Sequence, residues 1–91
     1  MPDSPVATLN VVYLARLREV LGRAGETLPL TAGPTTVGVV LDTLRARDGE
    51  WARELGHGRA VRVAVNHVMA GPQTPVRAGD ELAVFPPVTG G

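Results

Sequence analysis

The sequence predicts an α+β roll, in which one main helix packs across a mixed β-sheet. Three observations indicate this fold class. Apolar residues alternate with others near both ends of the chain, as in strands, and they recur at helical spacing in the middle, while turn-forming residues separate the short segments. The chain has 91 residues, 44% of them apolar, which is enough for one domain with a core. The first and last strands are the most apolar, so we expect them at the centre of the sheet.

The first third of the chain predicts a strand, a short helix and a second strand. Residues 8–14, TLNVVYL, alternate and are rich in β-branched and aromatic types. ARLREVLG follows, with leucines at helical spacing and Gly22 in place to supply the left-handed residue after a helix. Residues 26–30, ETLPL, alternate again. Pro29 cannot donate to a sheet ladder, so we expect this strand at an edge.

The main helix is predicted after a loop, TAGPTT, whose Thr35 or Thr36 can cap it. Its apolar face is formed by residues spaced at i, i+3, i+4 and i+7, namely Val37, Val40, Leu41 and Leu44. The pattern ends at Asp48-Gly49. Beyond it, Trp51 and Leu55 can form one further turn packed on the core.

The last third predicts three strands. RVAVNHVMA forms two short strands around Asn66-His67, and GPQTPVRAGD consists of turns. ELAVF, residues 81–85, is the last strand, and alternation places Leu82 and Val84 on its core face and Phe85 on the other.

Composition excludes several classes of function. The net charge is zero, so nothing favours a nucleic acid backbone as partner. All nine basic residues are Arg, so no Lys can form a Schiff base or accept an isopeptide bond. Cys is absent as well, which excludes disulfides, thiolate metal sites and a nucleophilic Cys on this chain. No segment approaches the roughly 20 apolar residues of a membrane span, and we expect a cytoplasmic protein.

We predict three regions: a loose leader without a secretory signal over residues 1–7, a folded domain over residues 8–85, and a flexible functional tail over residues 86–91. Pro86 and Pro87 favour extended geometry, so the tail can span about 18–20 Å. Gly90 and Gly91 carry no Cβ, so a narrow channel need fit only backbone. The Gly91 α-carboxylate is a poor electrophile, which a partner could activate with ATP as an acyl-adenylate before sulfur is added.

GDELAVFPPVTGG resembles the C-terminal signature of the small subunits of molybdopterin synthase, which are ubiquitin-like sulfur carriers with a β-grasp fold. The similarity continues in VVYLARLREVLG, TTVGVVLDTL and VAVNHVM, and it covers the chain from about Leu9 to Gly91. The resemblance implies a mixed sheet of about five strands with one main helix and short extra helices.

The resemblance also implies a function and its residues. An adenylating enzyme using ATP and Mg²⁺ would activate Gly91, beside its slim neighbour Gly90, and a sulfur donor protein would convert it to a thiocarboxylate. The sulfur would pass to cyclic pyranopterin monophosphate within the large subunit, in a heterotetramer. Catalytic groups would belong to that subunit, and this chain would bind no cofactor or metal. The partner-binding residues that it implies are Leu14, Met69, Phe85, Pro86, Pro87, Val88 and Thr89.

Three other functions are also compatible with the sequence. The same tail chemistry would suit a sulfur carrier for cysteine, thiazole or tRNA thiolation, although the Pro-Pro step favours molybdopterin synthesis. The chain could also be a noncovalent interaction module with an inert tail. A third alternative is a ubiquitin-like modifier joined to lysines of other proteins.

Overall fold

The structure is a computed structural model that describes residues 7–30, 35–56 and 60–87. Its elements are, in chain order, β1 (Thr8–Tyr13), α1 (Ala15–Leu21), β2 (Gly25–Pro29), β3 (Thr35–Thr36), α2 (Val37–Arg45), α3 (Glu50–Leu55), β4 (Arg62–Val65), β5 (Val68–Ala70), β6 (Pro75–Val76) and β7 (Glu81–Phe85). The predicted mixture of a sheet with one main helix and short additional helices is therefore confirmed. Val88, Thr89, Gly90 and Gly91 lie outside the described residues, as do residues 1–6 of the predicted leader.

The main sheet has five strands in the order β2-β1-β7-β4-β5. β1 and β7 are parallel, and the other neighbouring pairs are antiparallel. β7 is thus the central strand with β1 beside it, as predicted for the two most apolar strands. β2, which contains Pro29, lies at an edge, as its missing N–H requires. This topology is that of the β-grasp roll.

All three helices contribute to one core on the same face of the sheet. Strand residues of that face, such as Leu9, Val11 and Val84, share the core with helix residues such as Leu17 and Leu44, and all are at most 2% exposed. The remaining core members are Tyr13, Leu28, Val37, Val40, Leu41, Leu55, Val63, Val76 and Leu82. The opposite face of the sheet is therefore left without a covering helix in this part of the chain.

Two local predictions hold in detail. Gly22 adopts a left-handed conformation with φ of 74°, and its N–H donates to the Arg18 carbonyl at 3.2 Å, which ends α1. Thr36 caps α2, because its hydroxyl oxygen accepts a hydrogen bond from the Val39 N–H at 3.4 Å.

The sequence prediction was wrong about the loops around α2. Thr35–Thr36, expected as loop, forms β3 and pairs with β6, which lies in a stretch predicted as turns. Two residues are too few to show alternation, and Val76 is nevertheless completely buried. The helix α2 also ends earlier than Asp48-Gly49, because the Arg47 N–H donates to the Leu44 carbonyl at 3.1 Å and tightens the last turn.

Candidate functional site

The helix-free side of the main sheet carries a row of apolar side chains across four strands. Strand register aligns Val12, Ala83, Ala64 and Met69, one from each of β1, β7, β4 and β5. The two alanines are only 8% exposed, whereas Met69 at the edge is 59% exposed. The small alanines lie between larger neighbours, so the row forms a shallow apolar surface that a partner could cover.

A second row lies beside it, next to the base of the tail. The Leu14 N–H donates to the Val84 carbonyl at 3.1 Å, which continues the parallel β1–β7 ladder and places Leu14 beside Phe85. Arg62 of β4 is in register with Phe85 on its other side. Leu14 is 41% exposed and Phe85 is half-buried. We call the surface formed by these two rows the outer face; its residues are Val12, Leu14, Arg62, Ala64, Met69, Ala83 and Phe85.

The outer face brings together three residues that the resemblance implied for partner binding. Leu14, Met69 and Phe85 are distant in sequence, yet strand pairing places all three on this face. None of them belongs to the buried core. Ala83 is on the predicted side of β7 but is buried, which alternation alone did not indicate, because large neighbours shield its small side chain.

The tail begins where the central strand ends. β7 stops at Phe85, and Pro86 and Pro87 follow outside any helix or strand, both half-buried. Pro87 lines a surface groove of about 490 Å³ together with residues of α2, β4 and the β5 end, among them Val37, Val63 and Pro72. Arg62 is the single titratable residue among those that line it. The groove therefore offers no acid–base pair for catalysis.

A buried polar cluster that the sequence did not indicate lies on the core side of the sheet. The Tyr13 hydroxyl donates to Glu26 at 2.7 Å, and the Arg47 guanidinium donates to both oxygens of the same carboxylate at 2.8 and 2.9 Å. Arg47 also lies 4.5 Å from the centre of the Trp51 ring, and the Trp51 and Tyr13 rings pack edge to face. These contacts join β1, β2, the end of α2 and α3.

The pKa shifts in this cluster follow from its contacts. The Arg47 and Tyr13 hydrogen bonds lower the pKa of Glu26 below its usual value, despite an opposing effect of burial. Burial and the adjacent Glu26 carboxylate raise the pKa of the Tyr13 phenol well above its usual value. Each polar group is paired with another inside the fold, so the cluster stabilises the structure. It faces away from the outer face and has no part in the candidate site.

The described part of the chain contains no group of three or more His, Asp or Glu side chains placed to hold a metal ion. Of the two histidines, His67 is highly exposed and lies 3.8 Å from Glu81 at the β4–β5 turn, and His57 is outside the described residues. No helix among the described residues has the length and apolarity to cross a bilayer. The outer face itself offers apolar side chains and the Arg62 guanidinium, beside the residues where the tail begins.

Comparison with known proteins gives consistent matches over nearly the whole chain. The model of the ThiS family matches residues 11–91. The molybdopterin synthase sulfur carrier subunits of Haemophilus influenzae and Escherichia coli are 36% and 34% identical, each over 91% of this chain and 99% of the relative. Among solved structures, the small archaeal modifier protein 1 of Haloferax volcanii is 32% identical, with a TM-score of 0.65, over 90% of this chain and 99% of that one.

Proposed function

This chain belongs to the ThiS family, and from that premise we propose that it is the sulfur carrier subunit of a molybdopterin synthase. The identity to two molybdopterin synthase sulfur carrier subunits, over almost their entire length, is the observation that carries this proposal. This identity favours molybdopterin synthesis over the cysteine, thiazole and tRNA thiolation pathways. We further propose that the protein acts in the cytoplasm.

The reactive group in this proposal is the α-carboxylate of Gly91. A carboxylate at neutral pH is ionised and resists nucleophilic attack, so an activating enzyme must first convert it with ATP and Mg²⁺ to an acyl-adenylate. A sulfur donor protein then supplies sulfur at the oxidation level of sulfide, which attacks the acyl carbon and displaces AMP, so that Gly91 carries a thiocarboxylate. That sulfur passes to cyclic pyranopterin monophosphate in the large subunit and becomes one of the two sulfurs of the molybdopterin dithiolene, while water restores the Gly91 carboxylate.

In this proposal the two subunits have different roles. The catalytic groups of the reaction belong to the large subunit. This chain contributes a docking surface, formed by Leu14, Met69 and Phe85, and a tail of Pro86, Pro87, Val88 and Thr89 that leads to Gly90 and Gly91. The strand order supports this arrangement, because Phe85 ends the central strand within the docking surface and the tail continues from that point.

Intact-mass spectrometry tests the tail chemistry. The purified chain is incubated with its activating enzyme, ATP, Mg²⁺ and a sulfur donor, and we expect the mass to rise by the difference between sulfur and oxygen. A variant lacking Gly91 and a variant with one residue appended after Gly91 are the controls, and neither should gain this mass. If the appended variant still gains sulfur, the terminal-carboxylate mechanism is wrong.

Pathway assignment needs a second measurement. The charged chain, mixed with the large subunit and cyclic pyranopterin monophosphate, should yield molybdopterin. Charging without molybdopterin formation would assign the chain to another sulfur-transfer pathway. An unchanged mass would instead favour a noncovalent module, and covalent attachment to lysines of other proteins would favour a modifier.

The docking surface can be tested with a matched pair of variants on one strand. Met69 and Val68 are adjacent in β5 and are 59% and 68% exposed, but their side chains point to opposite faces of the sheet. Met69→Glu should weaken binding to the large subunit, because it places a charge in the apolar surface. Val68→Glu should bind as the unaltered chain does. Equal effects of the two substitutions would contradict the assignment of the outer face.

A further inference from the structure

We propose that Arg62 is a specificity-determining docking residue, whose guanidinium binds a carboxylate of the large subunit beside the base of the tail. This inference rests on the proposed function, because it concerns the surface that the large subunit covers. Arg62 lies in the outer face, exposed, and strand register places it directly beside Phe85, the last strand residue before Pro86. It also lines the groove that Pro87 borders. A protein that encloses the tail must therefore cover Arg62 or pass close to it.

Among the residues that the structure describes, the Arg62 side chain has no ion-pair or hydrogen-bond partner, unlike most arginines of this chain. Five others form ion pairs within the domain: Arg16, Arg23, Arg45, Arg47 and Arg53. Within residues 7–30, 35–56 and 60–87, no carboxylate lies within 4 Å of the Arg62 guanidinium and no hydrogen bond engages it. All of its donors are available to a second protein.

The surroundings of Arg62 decide what that second protein must offer. Its neighbours toward the sheet centre are apolar: Phe85 beside it, Leu14 beyond Phe85, and Ala64 in the next row. A partner that covers these side chains also removes water from the guanidinium. Taking a charge out of water is costly unless a counter-charge with good hydrogen-bond geometry replaces the water. A carboxylate is the group that fits, because the planar guanidinium can donate two parallel hydrogen bonds to it.

The occupant favoured is the large subunit of the synthase. Two relatives that are 36% and 34% identical to this chain are named as sulfur carrier subunits of that enzyme, and a lasting subunit interface must desolvate the outer face. An apolar surface with an acidic side chain opposite Arg62 would be complementary to it. A protein with an apolar or basic side chain at that place would be rejected, which gives the contact its specificity.

The test measures the affinity of the full chain for the large subunit from the same organism, by isothermal titration calorimetry. We expect Arg62→Ala to weaken binding by at least about tenfold. Arg62→Glu should weaken it further, through repulsion, and Arg62→Lys should retain part of the affinity because it keeps the charge. Raising the salt concentration should weaken binding of the unaltered chain more than binding of Arg62→Ala.

Arg77→Ala is the matched control. Arg77 is also exposed, has no carboxylate within 4 Å among the described residues, and lies before the opposite end of β7. We expect the affinity of the Arg77→Ala chain for the large subunit to stay within about twofold of that of the unaltered chain. Because the Arg62 side chain forms no ion pair or hydrogen bond among the described residues, its variants should melt close to the temperature of the unaltered chain.

The outcomes separate this inference from the proposed function. If Arg62→Ala and Arg62→Glu bind as tightly as the unaltered chain, while Met69→Glu binds weakly, the inference is overturned and the docking surface stands. If Arg62→Ala impairs adenylation but leaves binding to the large subunit intact, the carboxylate belongs to the activating enzyme and the inference is also overturned. If the unaltered chain neither gains sulfur nor binds the large subunit, the proposed function itself fails.

Discussion

Replacing Glu26 with alanine removes the acceptor at the centre of the buried cluster, and we expect it to destabilise the domain by about 3 kcal/mol. The Tyr13 hydroxyl is left buried without a partner, which costs about 1–3 kcal/mol. Arg47 loses two charge-assisted hydrogen bonds, but its side chain is 34% exposed, so water replaces part of that loss and we count only about 1.5 kcal/mol. A domain of this length has a total stability of about 5–14 kcal/mol, so the loss is a large fraction of the whole.

Urea unfolding followed by fluorescence and by circular dichroism measures this loss. Trp51, the one tryptophan of the chain, lies against the cluster and reports on its local environment. Tyr13→Phe is the matched control, since it removes the hydroxyl but leaves the Glu26–Arg47 pair, and it should cost about 1 kcal/mol. If Glu26→Ala costs less than about 1 kcal/mol, the cluster does not contribute as its geometry indicates, and the reasoning is refuted.

The Glu26 carboxylate should also make the stability of the domain depend on pH. The pKa of Glu26 is lower in the folded than in the unfolded state, so the unfolded state binds more protons in acid. The contribution of Glu26 to stability is present above its ordinary pKa of 4.5 and is lost as the pH falls through its pKa in the folded state. The free energy of unfolding should therefore decline below about pH 5, with a shallower decline in Glu26→Gln. Identical slopes for the two proteins would contradict the assigned pKa shift.

Three further predictions follow from particular contacts. Tyr13 is the one tyrosine, so absorbance at alkaline pH should show no ionised phenol near pH 10 while the domain stays folded. The free energy of unfolding should decline above about pH 10, because the phenol ionises first in the unfolded state. A normal phenol titration would refute the burial of Tyr13 beside Glu26. Gly22→Ala should destabilise the domain by about 1 kcal/mol, because Gly22 has positive φ, whereas Gly71→Ala should have a smaller effect. Asn66→Ala should cost about 1 kcal/mol, since its side chain bonds both Asp80 and the Glu81 N–H, and an unchanged urea midpoint would contradict this.

The sequence predicted the elements that have a regular period or a marked end. Val37, Val40, Leu41 and Leu44 share a buried or nearly buried face of α2, and Gly22 ends α1, because both depend on residues close together in the chain. The pairing of β3 with β6 was not predictable in this way. Thr35 and Val76 are distant in sequence, and two-residue strands carry no alternation that could indicate a sheet.

The candidate site was likewise only partly predictable from the sequence. Alternation within β7 places Phe85 opposite the core, but it cannot show that Leu14, Arg62 and Met69 lie on the same surface, since this depends on the register of four strands. The resemblance supplied Leu14 and Met69, whereas neither the residues nor the resemblance indicated Arg62. The absence of an ion pair at an arginine is a property of the folded domain and has no signature in a single sequence.

The central position of β7 has a mechanical consequence. The tail continues directly from this strand, which is hydrogen-bonded to β1 on one side and β4 on the other, with four residue pairs in register on each. A force applied to the end of the tail is transmitted along β7 and acts in shear on both ladders at once, and sheared ladders resist better than ladders opened one bond at a time. An unfoldase that grips this end must first extract a strand that is paired on both sides, so the domain should withstand pulling from the tail better than pulling from β5, which has a neighbour on one side.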